Sequence, residues 1–203
     1  MTISLVVNTA CLGLRAGAVL SSGKRPHNLR EFLLKCFILP EAMANPAISE
    51  IIVAGEFEPG DGYIYVPAPS VYYNCRDALH QRQRGFEVST GDVILFQHDD
   101  HLVQGVFPPM EAFNSVQVIV PQRRTRMRVP TGERLNTGEG EYISGHAAFY
   151  TREAVTKCPW GQVPKVYQWD RAHTLQLRKA GYLAAIAEQV VAWDIEWGSE
   201  PWL

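Results

Sequence analysis

The chain has 203 residues, 46% of them apolar and 20% charged, with a formal charge of -2. That length supports one sizeable core, and the balance excludes a disordered chain or one that is basic throughout. A local basic patch remains compatible with it.

Residues Ile3–Asn8 form a short β-branched run, the pattern of a strand buried on both faces. The apolar N-terminus lacks an opening basic region and its apolar run is short, so neither a signal peptide nor a membrane span is expected. A loop with Gly13, Gly17, Gly23 and Pro26 follows, and Asn28 stands where a helix cap belongs. Apolar residues recur at helical spacing within Leu29–Ala44, with Pro40 expected to kink or end that helix. Ile48–Ala54 reads as a second strand ended by Gly55, and the β-α-β order predicts a parallel unit. Glu56–Ser70, rich in Gly and Pro, reads as a loop. Asp77–Phe86 reads as a crossover helix, and Asp92–Phe96 as a third buried strand running into His98-Asp99-Asp100-His101.

Phe113–Val120 alternates like a strand, and Gln122–Arg128 with the following Pro130–Gly140 reads as a mobile loop. Ala147–Lys157 and Asp170–Ala180 read as helices, the second capped by Gly181. Ala184–Trp193 fits strand or helix equally. The cysteines, Cys11, Cys36, Cys75 and Cys158, are widely spaced, which argues against a zinc ribbon or redox pair. Cys36 and Cys158 lie in apolar patterns and read as buried thiols in a reducing, cytoplasmic setting.

Acidic residues at the C-terminal end of a parallel strand occupy the place where open α/β sheets bind ligands. Two carboxylates flanked by two histidines offer ligands to a divalent cation that takes its remaining donors from a diphosphate. Alone, the four residues fit a solvated acidic turn just as well.

The stretch Arg82-Gln-Arg-Gly-Phe-Glu-Val-Ser-Thr-Gly-Asp-Val-Ile-Leu-Phe-Gln-His-Asp-Asp100 resembles the helix, strand and acidic motif of family 2-like GT-A glycosyltransferases. Ser4–Thr9 and Ile51–Glu56 are similar to the first two nucleotide-binding strands of that family, and Ile143–Glu153 to its later donor-sugar and acceptor segment. Trp169-Asp170 stands at the family's "E-D" pair. The resemblance runs from about residue 3 to residue 182. It implies an α/β chain with the GT-A (Rossmann-like) fold, a three-layer α/β/α sandwich with a mostly parallel central sheet. It also implies a single domain over 1–203, with a nucleotide-sugar half (1–105) and an acceptor half (106–203). The implied activity moves a sugar from a nucleotide-diphosphate sugar, UDP-sugar first, to a hydroxyl acceptor by an inverting, metal-dependent route. Cofactor and metal expectations are Mn²⁺ or Mg²⁺ held by Asp100, Asp99 and His101, with Asp194 and Glu196 as further candidates.

By the same resemblance Asp170 is the candidate base, though it as readily caps a helix. Asn8, Thr9, Arg15, Glu56, Arg82, Asp99, Gly145 and His146 are nucleotide-sugar candidates. The chain departs from the family pattern at His98, which replaces the first aspartate, and at Trp169, which replaces a glutamate. Arg123, Arg124, Arg126 and Arg128 suit a diphosphate clamp or a DNA acceptor, or simply a solvated loop. The alternatives are a nucleotidyltransferase, for which Gly13-Leu-Arg15 is a poor phosphate loop, and a non-catalytic nucleotide-binding module.

Overall fold

The computed structural model describes residues 2–9, 31–69, 75–125, 143, 147–163 and 169–194. Eight strands form one sheet in the order β3-β2-β1-β4-β7-β6-β8-β5. They are β1 (Ile3–Thr9), β2 (Ile48–Gly55), β3 (Ile64–Pro67), β4 (Val93–His98), β5 (His101–Gly105), β6 (Val118–Thr125), β7 (Ala147–Thr151) and β8 (Ala184–Asp194). The pairs β3/β2, β2/β1, β1/β4 and β6/β8 are parallel, while β7 runs against both β4 and β6 and β5 runs against β8. The sheet is therefore mostly parallel.

β1 is buried at every position, as its β-branched run predicts. Leu5 and Val7 join a core with Leu34, Ile38, Leu39 and Ala42 from the helical segment that ends in α1 (Leu39–Ala44). Val6 faces the other way, towards Leu79 of α2 (Cys75–Val88), Ala154 and Val155 of α3 (Arg152–Lys157) and Leu177 of α4 (Trp169–Lys179). Helices on both faces make the three-layer α/β/α sandwich expected from the sequence.

Pro40 does not end its helix. Leu34–Ile38 is a π-helical turn, and the Leu39 N–H donates back to the Leu34 carbonyl. The extra residue in that turn displaces the carbonyl that a proline ring would otherwise strike, so α1 proceeds with Pro40 in its first turn. The same turn leaves Cys36 exposed, correcting the expectation of a buried thiol, whereas Cys158 is buried.

Four further differences have local causes. Glu56–Ser70 contains β3, a four-residue edge strand that its Gly- and Pro-rich flanks disguise. Phe113 belongs to a 3-10 turn (Met110–Asn114), and β6 begins later and extends through Arg123 and Arg124. Ala147–Thr151 is strand, and only Arg152–Lys157 is helix, started by the Thr151 hydroxyl accepting from the Ala154 N–H. Residues 184–194 are strand.

The passage from β4 to β5 constrains the whole sheet. His98 and His101 are three peptide steps apart, a reach of about 11 Å at most. In a flat sheet, the four strand spacings between β4 and β5 would separate them by about 19 Å. The sheet must therefore curl. Within that stretch the β6/β8 register jumps, with Pro121 opposite Ala187 but Gln122 opposite Val191, an irregularity of the kind that bends a sheet. A cavity of about 500 Å³ lies at this bend, walled by Phe107, Pro109, Val116, Ile119, Ile186 and Gln189 among others.

At the C-terminal end of α4 the Tyr182 N–H reaches the Leu177 carbonyl and the Gly181 N–H that of Arg178, with Gly181 at φ +83°. That is the glycine cap the sequence predicts. Gly55 is under a harder constraint: at φ +140°, an added Cβ would lie 1.9 Å from the Thr9 carbonyl oxygen. Nothing lies within 4 Å of a Cβ added at Gly181. Gly55→Ala is therefore expected to cost about 3 kcal/mol and Gly181→Ala about 1 kcal/mol in urea unfolding. Equal costs at the two positions would contradict this ranking.

Candidate functional site

The parallel strands β1, β2 and β4 end side by side, and polar residues gather where they stop. Asn8 is the β-sheet partner of His98, and Thr9 that of Gly55. The Thr9 hydroxyl donates to Asp99 Oδ2 at 2.8 Å, with both residues buried at 1% exposure. Asp99 thus ties the turn after β4 to the end of β1. Glu56 follows β2, half-buried, with its N–H on the Thr9 carbonyl at 3.0 Å.

Asp100 and His101 form the other half of the turn. Asp100 Oδ1 lies 2.6 Å from His101 Nδ1. A carboxylate only accepts, so His101 donates through Nδ1. Gln97 fixes the same histidine from behind, its amide donating to the His101 carbonyl at 2.6 Å. His101 opposes Asp194 in the β5/β8 register, which also brings Thr125 to that level. No three His, Cys, Asp or Glu side chains form a metal cluster among the described residues. Asp100 is held by the His101 Nδ1–H, whose remaining ring nitrogen faces away from that carboxylate, so the pair offers one cation only the carboxylate; that fits an ion taking most of its shell from phosphate and water, as Mg²⁺ and Mn²⁺ do.

Arg82, from α2, lies beneath this surface at 1% exposure. Its Nε donates to Asn8 Oδ1 at 3.2 Å. Its guanidinium sits over three aromatic rings: Trp169 at 4.9 Å, Trp160 at 5.0 Å and Phe96 at 5.6 Å. Burial pulls its pKa down to about 10, against the opposing influence of Tyr150 and Asp170. Burial also holds the Tyr150 phenol neutral far above its ordinary range.

Asp170 occupies the first turn of α4, half-buried, with Oδ1 accepting from the Arg171 N–H at 2.9 Å. The field of its carboxylate charge reaches both Arg82 and Tyr150, so the candidate base and the candidate nucleotide end share one buried neighbour.

Arg15, Gly145, His146, Arg126 and Arg128 lie outside the described residues. Arg123 and Arg124 fall on the upper part of β6, in register with Ala192 and Trp193. Tyr63 and Tyr65 pack against the core, with hydroxyls on the Glu58 and Gly55 carbonyls. Gln97, Trp160 and His173 were not among the sequence candidates. Nothing in their local spacing singles them out.

No known family profile matches the sequence, and no curated protein matches it. Solved structures do. Staphylococcus aureus TarS (1-349) superposes with a TM-score of 0.55 at 10% identity, covering 96% of this chain and 60% of that one. The mannosyltransferase PcManGT from Pyrobaculum calidifontis, in complex with GDP-Man and Mn²⁺, gives 0.54 at 16%, covering 95% and 56%. The 4-diphosphocytidyl-2C-methyl-D-erythritol synthase from Anaerococcus prevotii DSM 20548 gives 0.51 at 12%, covering 93% and 89%. The chain spans less than two thirds of the first two and most of the third. Identities this low establish the fold alone: a GT-A, Rossmann-like sandwich, shared with a mannosyltransferase and a 4-diphosphocytidyl-2C-methyl-D-erythritol synthase.

His173 closes the buried cluster. Its ring lies 3.7 Å from that of Trp160, and its Nε2 donates to the Cys158 carbonyl at 2.9 Å. Burial lowers its pKa from 6.5 to about 3. The unfolded chain therefore binds the extra proton below pH 6.5 and the folded chain does not, so stability falls with acidification in the window from 6.5 to about 3. Between pH 6.5 and 5 this group alone should remove about 2 kcal/mol. His173→Gln should lose that share of the pH dependence in urea unfolding. An unchanged slope would show that His173 is not buried neutral.

Proposed function

We propose that the chain is a glycosyltransferase that moves a sugar from a nucleotide-diphosphate sugar to a hydroxyl acceptor with inversion. One observation carries the reading: Asn8, Thr9, Glu56, Asp99 and Asp100 converge at the C-terminal ends of parallel strands, on a fold shared with a mannosyltransferase solved with GDP-Man and Mn²⁺. Ligands of open α/β sheets bind at such strand ends.

In this reading Asn8, Thr9, Glu56 and Asp99 shape the nucleotide end, with Arg15, Gly145 and His146 as further donor contacts. Arg82 acts from below through Asn8. Asp100, aided by Asp99, would hold Mn²⁺ or Mg²⁺, with His101 orienting the Asp100 carboxylate through its Nδ1–H. The bound cation would offset the charge growing on the departing nucleoside diphosphate. Asp170 removes the acceptor hydroxyl proton as that oxygen attacks the anomeric carbon, and the bond from that carbon to the diphosphate oxygen breaks. UDP-sugar is the first donor to test. A narrower version has a modified base in DNA as acceptor, gripped by Arg123, Arg124, Arg126 and Arg128. Unchanged duplex binding after replacing all four with alanine would remove it.

Nucleotidyl transfer is the second reading, favoured by the near full-length match to the cytidyl synthase. Thermal shifts with UDP- and GDP-sugars, with and without Mn²⁺, test donor binding; about 2.7 kcal/mol of stabilisation corresponds to a hundredfold excess over Kd. Asp100→Ala should abolish the Mn²⁺-dependent part. Asp170→Asn should lower nucleoside diphosphate release by about 10²- to 10⁴-fold while sparing donor binding. Release of pyrophosphate from a nucleoside triphosphate would instead establish the second reading.

A further inference from the structure

His98 stands where the acidic motif would carry its first aspartate, and its hydrogen-bond geometry shows what it does there. Arg82 Nε can only donate, so the Asn8 side-chain atom 3.2 Å from it is the oxygen. The Asn8 amide nitrogen is then the atom that faces His98 Nδ1, at 3.3 Å. That nitrogen also only donates, so Nδ1 of His98 accepts and carries no proton. The imidazole proton resides on Nε2.

Histidines that bind metals show the opposite polarity. The nitrogen away from the metal donates to a carboxylate or carbonyl, leaving a lone pair on the ligating nitrogen. His101 has that polarity, with Asp100 Oδ1 at 2.6 Å from its Nδ1. His98 has the reverse. Turning the Asn8 amide over would set its NH₂ against Arg82 Nε–H and leave two donors facing each other. The aromatic rings around the buried guanidinium hold Arg82 in place against such a change.

We propose that Arg82, acting through Asn8, fixes His98 as an Nε2–H donor, so that His98 contacts an oxygen of the bound nucleotide and takes no part in binding metal. Arg82 and Asn8 are positioning residues here. Naming the nucleotide as recipient rests on the transferase reading above, whereas the relay itself does not.

Long-range ¹⁵N–¹H imidazole spectra of the full chain read the tautomer directly. The expected pattern for His98 is an unprotonated Nδ1 and a protonated Nε2. Asn8→Asp places an acceptor opposite both Arg82 and His98 and should move the proton onto Nδ1. Asn8→Ala, checked for folding by circular dichroism, should release the preference. A protonated Nδ1 in the unaltered protein, or a pattern untouched by both variants, overturns the relay.

Mn²⁺ binding followed by water relaxation tests the exclusion from the metal site. His98→Gln should leave the affinity within about twofold, while Asp100→Asn lowers it by about 10- to 100-fold. Equal losses in the two variants would overturn that exclusion. UDP and GDP titrations test the recipient. His98→Gln keeps an N–H donor and should retain affinity, whereas His98→Asp should lose about tenfold or more. Should the unaltered protein bind neither nucleotide yet show the expected tautomer, the transferase reading falls and the relay stands.

Discussion

The short link between β4 and β5 governs the site. Three peptide steps cannot cross four strand spacings, so the far half of the sheet has to fold back towards β4. The register jump between β6 and β8 falls within that far half. As a result, Asp100 and His101 come to lie between the parallel strands β1, β2 and β4 on one side and the ends of β6 and β8 on the other. The sheet runs continuously across residue 105: β7 inserts next to β4, and β8 pairs with β5.

Arg82 imposes the second constraint. A charge taken out of water needs hydrogen-bond acceptors or polarisable rings around it. Three aromatic faces and the Asn8 oxygen meet part of that need. These partners come from β1, β4, the segment Trp160–Gln162 and the start of α4. Burial of one side chain therefore connects the end of the first strand to the helix bearing Asp170. At the opposite end of the sheet Glu50 makes a comparable tie. Burial pushes its pKa up, but the Ser4 hydroxyl and the N–H groups of Thr90 and Gly91, with the Thr90 hydroxyl, outweigh that and lower it overall.

The parallel half was legible in the sequence. β1, β2 and β4 are built around short, largely β-branched apolar runs, Leu5–Val7, Ile51–Ala54 and Val93–Phe96, and α2 has clear length and termination. The second half was harder to read for definite reasons. Ala147–Thr151 is buried on both faces, so it lacks alternation, and its alanines lead straight into a real helix. β3 is too short to announce itself, and the bend between β6 and β8 breaks the rhythm of β8. For the site, the strand ends could be anticipated from the acidic motif. The link from Arg82 through Asn8 to His98 spans sequence separations of 74 and 90 residues. It exists only once the chain has packed, and no local pattern encodes it.

The π-helical turn at Leu34–Ile38 has an implication for how this segment can vary by descent. A residue added to a helix normally rotates everything beyond it, and losing it would restore the older phase. Here the added residue and Pro40 are matched, because the wide turn is what makes room for the ring. Loss of either alone therefore leaves a mismatch: a one-residue deletion would drive the proline against a carbonyl, and replacing the proline would leave a widened turn with nothing to justify it. The wide turn and Pro40 therefore depend on each other, and a change in one calls for a change in the other.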